Sequence, residues 1–195
     1  MADAGRVIAG SAKGLRLRAP GPGTRPLADR VKQTLFAILE PGVAGSRVLD
    51  LFAGSGAAGI EALSRGAEAV TFVERDAGAV AVINENLRST GLAGPAARVV
   101  RGDALRWLTA AAGASEAPFD LVFADPPYAE TELLGNVLDR LGAPDAPLGG
   151  DGRVIAKHFW RDRPAERIGM LAAERERRFG ETTLTFYRRE EADER

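Results

Sequence analysis

The 195-residue chain contains no cysteine. That excludes disulfides, thiolate zinc sites, iron-sulfur clusters and any cysteine nucleophile. There is one histidine, His158, so a two-histidine metal site or a serine-histidine-aspartate triad would have to rest on a single ring, and no metal is expected. Long apolar runs are also missing. No apolar stretch of about 18 residues occurs, and the opening MADAGRVIAGSAKG lacks an apolar core of about 7 to 15 residues. Neither a membrane span nor a secretory leader is expected, and the chain reads as cytoplasmic. Lysine is scarce: only Lys13, Lys32 and Lys157 among 26 basic residues. Such an arginine bias follows genome composition as readily as function, so raw arginine counts carry little weight.

What is present is an ordinary globular composition, 45% hydrophobic and 27% charged, enough for one sizeable core. The net charge of -1 hides an asymmetry. Residues 1–36 carry seven basic and two acidic side chains, residues 37–152 eight and 16, and the remainder 11 and nine. A basic N-terminal arm on an acidic body suggests that one face meets a polyanion.

Residues 6–18, RVIAGSAKGLRLR, read as a small hairpin around glycines, followed by the breaker-rich PGPGTRP. Asp29 is placed to cap a helix with Val31, Leu35, Ile38 and Leu39 on one stripe, ended by Pro41-Gly42. The expected division is therefore 1–42, a hairpin-and-helix extension, and 43–195, the main domain. Beyond it, apolar runs at 47–52, 69–74, 97–102, 119–124 and 153–159 alternate with helical segments, the last across 130–142. That alternation predicts an α/β fold with a doubly wound, mostly parallel sheet. Residues 175–189 form two strand-like runs around Gly180, predicting a C-terminal antiparallel hairpin.

Four elements carry chemistry. The first is Asp50-Leu51-Phe52-Ala53-Gly54-Ser55-Gly56-Ala57-Ala58-Gly59, a glycine loop between a strand and a helix. Its glycines allow close approach of a nucleotide-type ligand. Asp50 would repel a pyrophosphate but suits a cation such as the amino group of S-adenosylmethionine. The second is Glu74, 24 positions on, placed to accept from a ribose diol; Asp76 reads better as a helix cap. The third is Gly102-Asp103-Ala104, where Asp103 either accepts from an adenine amine or caps the next helix. The fourth is Asp125-Pro126-Pro127-Tyr128. An exocyclic amine conjugated to a nucleobase is a poor nucleophile. A carboxylate and a carbonyl held by two prolines can accept both N–H groups and align the lone pair with an incoming methyl, while Tyr128 stacks on the withdrawn base. His158 reads as structural, and Trp107 and Trp160 as packing residues.

These four elements in this order resemble the class I, S-adenosylmethionine-dependent amino-methyltransferases. More closely, Arg6-Val7-Ile8-Ala9-Gly10, Lys13-Gly14, Thr24-Arg25-Pro26 with Asp29-Arg30-Val31, Leu35-Phe36, LDLFAGSGAAGIEALSRGA and Phe179-Gly180-Glu181-Thr182-Thr183-Leu184 resemble the RsmD family. The resemblance implies a seven-stranded Rossmann-like methyltransferase sheet. It also implies methyl transfer to the exocyclic N2 amine of a guanine in 16S ribosomal RNA, with S-adenosylhomocysteine as product. Asp50, Phe52, Gly54, Gly56, Glu74, Asp103 and Ala104 would hold the donor, and Asp125, Pro126, Pro127 and Tyr128 the target amine. Arg6, Lys13, Arg16, Arg25 and Arg30, with Arg18, would meet phosphates of the 16S RNA, the small subunit or an assembly intermediate. A monomer is expected. Two positions depart from the family pattern: Leu27 stands for the usual threonine and Lys157 for a glutamate.

Three other readings remain: an amino-methyltransferase acting on adenine N6 or cytosine N4, a non-catalytic RNA-binding assembly factor, and a dehydrogenase. The missing cysteine bears on the chemistry, since carbon-5 pyrimidine methylation through a thiolate adduct and the radical iron-sulfur route both need it.

Overall fold

Alternating apolar strands and helices build two units in the computed structural model, which describes residues 3–21, 27–113, 118–127 and 130–190. One unit spans Met1–Asp103, the other Ala104–Arg195. Among the described residues no helix is long and apolar enough to cross a membrane.

In the first unit, β1 (Asp3–Arg6) pairs antiparallel with β2 (Arg16–Arg18). Then follow α1 (Asp29–Leu39), β3 (Arg47–Leu51), α2 (Ala57–Ser64), β4 (Ala69–Glu74), α3 (Ala77–Ser89) and β5 (Ala97–Arg101). Strands β3, β4 and β5 are parallel, with Val48 opposite Val70 and Val70 opposite Ala97. All three match expected strands to within a residue. Helix α1 buries Val31, Leu35 and Leu39 as its stripe predicts, and adds Phe36 and Lys32. Asp29 does not cap it. The N-cap is Ala28, without a side-chain bond, and Asp29 begins the helix. Its carboxylate accepts instead from the Arg6 N–H, 3.1 Å away, because the hairpin offers that donor where a capping residue would turn back on its own helix.

Helix α2 is buried on almost every side, from Ala57 through Ser64. The sheet covers one face and the hairpin the other. Gly59 lies so close to β4 that a Cβ there would stand 2.3 Å from Phe72 Cε1 and 2.8 Å from Val70 Cγ1. Both neighbours are fully buried and cannot swing away. Gly59→Ala is expected to destabilise the protein by about 1–3 kcal/mol, measurable as a lower urea midpoint at unchanged slope.

The hairpin is fastened to the body through its backbone. The Glu61 carboxylate, fully buried, accepts from the N–H groups of Ile8 (2.7 Å) and Ala9 (3.0 Å). Ser64 accepts from Ser11 through its carbonyl (2.8 Å) and from Ala12 through its hydroxyl (2.9 Å). Asn86 of α3 accepts from the Arg18 N–H and donates to the carbonyls of Arg18 and Ser55, each at 2.9 Å.

The second unit contains α4 (Ala104–Ala111), β6 (Phe119–Ala124), α5 (Thr131–Leu141), β7 (Leu148–Phe159), β8 (Arg167–Ile168), β9 (Leu171–Phe179) and β10 (Thr182–Arg189). Strands β6 and β7 are parallel, and β10 pairs antiparallel with both β7 and β9. The C-terminal hairpin turns at Gly180, whose φ is +63°. Strand β7 begins five residues before the expected Arg153. Two-residue β8, an antiparallel ribbon on Leu171–Ala172, joins the seven strands expected. The fold is thus α/β, mostly parallel and Rossmann-like, with antiparallel strands at the C-terminal end.

Candidate functional site

The glycine loop leaves β3 in a sharp turn. Phe52, Gly54 and Gly56 have φ of +62°, +55° and +76°. For Phe52 this left-handed conformation is costly and concentrates at functional turns. It persists because the next residues are pinned: Ala53 N–H donates to the Val73 carbonyl (3.1 Å) and Gly54 N–H to Glu74 Oε2 (2.9 Å). The second Glu74 oxygen accepts from the Asp76 N–H at 2.8 Å. Glu74 is half-buried at the end of β4, its carboxylate fixed by two backbone donors beside the loop. Asp50 is buried in β3 on the same face as Phe72, and its Oδ2 accepts from Gly59 N–H at 2.9 Å. It therefore braces the start of α2.

Two carboxylates flanking one glycine loop suit a cationic, diol-bearing nucleoside and oppose a pyrophosphate. The donor set thus fits S-adenosylmethionine. Asp76 caps α3, accepting from Ala79 N–H at 2.7 Å. Asp103 is partly exposed immediately before α4, and Ala104 is buried as the first residue of that helix.

Asp125 lies in the second unit. The β6–β7 register pairs Ala124 with Ala156, so Asp125, one residue past β6, stands beside Lys157 within β7. Lys157 Nζ donates to both Asp125 oxygens at 2.8 Å. Burial pushes the Asp125 carboxyl up from the ordinary aspartate range, against the pull of the Lys157 charge. Lys157, a departure from the family pattern, is therefore the counter-ion of the candidate catalytic acid. Pro126 is buried and Pro127 exposed. The Pro127 carbonyl accepts from Glu130 N–H at 2.9 Å, closing the turn into α5. Tyr128 lies outside the described residues.

His158 is buried, with ring nitrogens 2.8 Å from the Phe159 carbonyl and 2.8 Å from Thr185 Oγ1, a structural arrangement as expected. Trp107 packs on Phe119 with ring centroids 6.0 Å apart. Trp160 does more than pack: the guanidinium carbons of Arg178 and Arg161 stand 4.1 Å and 4.8 Å from its ring centroid.

Charges on the basic arm are largely answered locally. Arg6 pairs with Asp29 (3.3 Å), Arg16 with Asp3 and Arg18 with Glu85. Lys32 is wholly buried and donates to the Arg6 carbonyl. Burial pulls its ammonium pKa down, with Asp29 and Glu61 opposing. Lys13 and Arg30 are exposed and form no ion pair among the described residues. Arg25 lies outside them. Missing from the sequence reading were Lys157 as partner of Asp125, Glu61 as anchor of the hairpin and the cations around Trp160. A lysine one register step from an acidic strand end could have flagged the first.

A family model described as "Conserved hypothetical protein 95" matches residues 5–188. The Bacillus subtilis protein "Putative rRNA methyltransferase YlbH" is 42% identical over 187 residues, covering 94% of this chain and 98% of that one. "Ribosomal RNA small subunit methyltransferase D" of Escherichia coli K12 is 41% identical over 124 residues, 63% of this chain and 60% of its own length. The solved structure "Putative methyltransferase yhhF from Escherichia coli" superposes with a TM-score of 0.81 at 30% identity, covering 96% of this chain and 98% of that one.

Proposed function

The chain belongs to the family described as Conserved hypothetical protein 95, that of RsmD, and on that premise we propose that it is an S-adenosylmethionine-dependent ribosomal RNA methyltransferase acting on the N2 amine of a guanine in 16S RNA. The observation that carries this reading is that the family match spans both the glycine loop with its Glu74 and the Asp125-Pro126-Pro127 turn. The relatives' names favour ribosomal RNA over a DNA amine.

When bound, S-adenosylmethionine supplies a methyl group on a sulfonium centre. Glu74 accepts from the ribose hydroxyls, Phe52, Gly54 and Gly56 shape the loop that the nucleoside lies against, and Asp50 braces that loop while contributing negative charge near the amino group. Asp103 and Ala104 border the adenine. Asp125 accepts an N–H of the target amine, which orients the nitrogen lone pair and stabilises the positive charge that grows on nitrogen. Pro126 and Pro127 hold the turn rigid, and Tyr128 stacks on the base. The methylated amine loses one of its protons to solvent after transfer, so no histidine is required. Residues 1–42 act as the RNA-contacting extension, with Lys13, Arg25 and Arg30 as phosphate contacts and Arg6 and Arg16 released from their carboxylates on binding. The protein acts in the cytoplasm as a monomer on the small subunit or its precursor.

Nucleoside mass spectrometry of 16S RNA from a strain lacking the protein tests this reading. One N2-methylguanosine is expected to disappear, and purified protein is expected to restore tritiated methyl to undermodified small subunits. Label entering only duplex DNA would overturn the assignment.

A further inference from the structure

Among the described residues, five arginines on the surface of the second unit are answered by carboxylates: Arg140 by Asp145, Arg153 by Glu174, Arg163 by Glu166 and Glu176, Arg167 by Glu190, Arg188 by Asp151. Four exposed ones are not. Among the described residues no carboxylate pairs with Arg161, Arg175, Arg177 or Arg178, and the neighbouring acids Asp162 and Glu181 form no ion pair with them. Arg161 and Arg178 are instead held against the half-buried Trp160 ring, and Arg178 Nε donates to the Gly180 carbonyl at 2.8 Å. The difference is electrostatic. An arginine paired with a carboxylate presents almost no net field, whereas one stacked on indole keeps its full charge and its remaining N–H edge for an outside acceptor.

The cluster has a definite place. Trp160 follows β7, its N–H donating to the Glu181 carbonyl at 3.0 Å, and it lies three residues beyond Lys157, the partner of Asp125. Strand geometry puts that separation at roughly 10 Å. Arg175, Arg177 and Arg178 lie on β9 beyond the two residues that β8 covers, along an edge no other strand pairs with among the described residues. The C-terminal ends of β6 and β7 and the Gly180 turn therefore share one rim, carrying the candidate catalytic acid with Arg161 and Arg178, whereas Arg175 and Arg177 point to the opposite sheet face from Arg178.

We infer that Trp160, Arg161 and Arg178 form an RNA-backbone clamp that holds phosphates flanking the target nucleotide. This rests on the reading of the protein as a ribosomal RNA methyltransferase. Trp160 is a positioning residue: it preorganises two guanidiniums whose planar forks match phosphate oxygens. The clamp supplies affinity and register, and base identity is read elsewhere.

The test compares the double variant Arg161→Gln/Arg178→Gln with Arg167→Gln/Arg188→Gln, which removes two carboxylate-paired arginines from the same unit. Binding of undermodified 16S RNA is measured across a salt series, with S-adenosylmethionine binding followed by calorimetry. The clamp variant is expected to bind RNA about tenfold more weakly near 0.15 M salt. Its log-log salt slope should fall by about 1.4, for two phosphate contacts at about 0.7 each on single-stranded RNA. Cofactor affinity stays unchanged. Trp160→Leu should lose about threefold, and the control variant nothing. Equal losses in both double variants would overturn the inference, as would unchanged RNA affinity accompanied by aggregation, which would make these arginines protectors of an open strand edge. Full affinity for naked RNA with lost binding to assembled subunits would reassign the surface to a ribosomal protein and overturn it too. A wild-type chain that binds and methylates RNA while the clamp variant does so equally well defeats the clamp alone; a wild-type chain that binds neither 16S RNA nor undermodified small subunits defeats it together with the reading beneath it.

Discussion

Asp125→Asn is expected to slow methyl transfer by about 10²- to 10³-fold, the range seen when one preorganised group facing developing charge is removed, with S-adenosylmethionine affinity unchanged. Asparagine keeps the shape and one acceptor but loses the negative charge that offsets positive charge on the attacked nitrogen. Single-turnover rates at saturating cofactor are the measurement, and an unaltered rate would remove Asp125 from the mechanism. The pH dependence follows from the same residue. The working form is the carboxylate, and burial raises its pKa above the ordinary 3.8. On acidification the active form is therefore lost at a higher pH than for a solvated aspartate, and the rate declines on the acid side. The Lys157 charge pulls that pKa back down. Lys157→Met is expected to move the acid limb of the profile upward, and Lys157→Arg to hold it. A profile that ignores Lys157→Met would show that the pair does not tune the acid.

Glu61→Ala is expected to be the most destabilising of the substitutions considered, by about 3–5 kcal/mol, the usual cost of breaking a buried charged cluster by deleting one member. Three donors lose their acceptor: the N–H groups of Ile8 and Ala9, and Arg65 Nε at 2.7 Å. For a chain of this size the melting temperature should drop by roughly 10 °C. Asp3→Ala, which removes the exposed partner of Arg16, should change stability by less than about 1 kcal/mol. Thermal melts of both variants decide whether the hairpin is anchored mainly through Glu61.

The strands, the C-terminal hairpin and the loop after β3 were legible because each is announced by a local pattern: apolar runs, glycine at a turn, an acid at a strand end. Asp76 was legible as a cap for the same reason. What escaped depends on residues far apart in the chain. Glu61 looks like any solvated acid on a helix until the backbone of Ile8 and Ala9, more than 50 positions earlier, closes over it. Lys32 sits beside an apolar stripe and reads as flanking charge, yet the hairpin buries it and supplies the Arg6 carbonyl as acceptor. Asp29 misled in the opposite way, having a capping residue's chemistry but a better donor across the fold. Lys157 differs from the family pattern by a full reversal of charge, and only the parallel register of β6 with β7 shows what the reversal meets.

The hairpin's attachment also bears on how such a protein can vary. Glu61, Ser64 and Asn86 grip the main chain of residues 8–18, not its side chains. Exposed positions such as Lys13, Leu15 and Arg16 can therefore be exchanged without loosening a single anchor, while any change in the arm's length or path would strand several buried polar groups at once. Descendants of this chain are free to repaint the arm for a different RNA contour but not to reroute it.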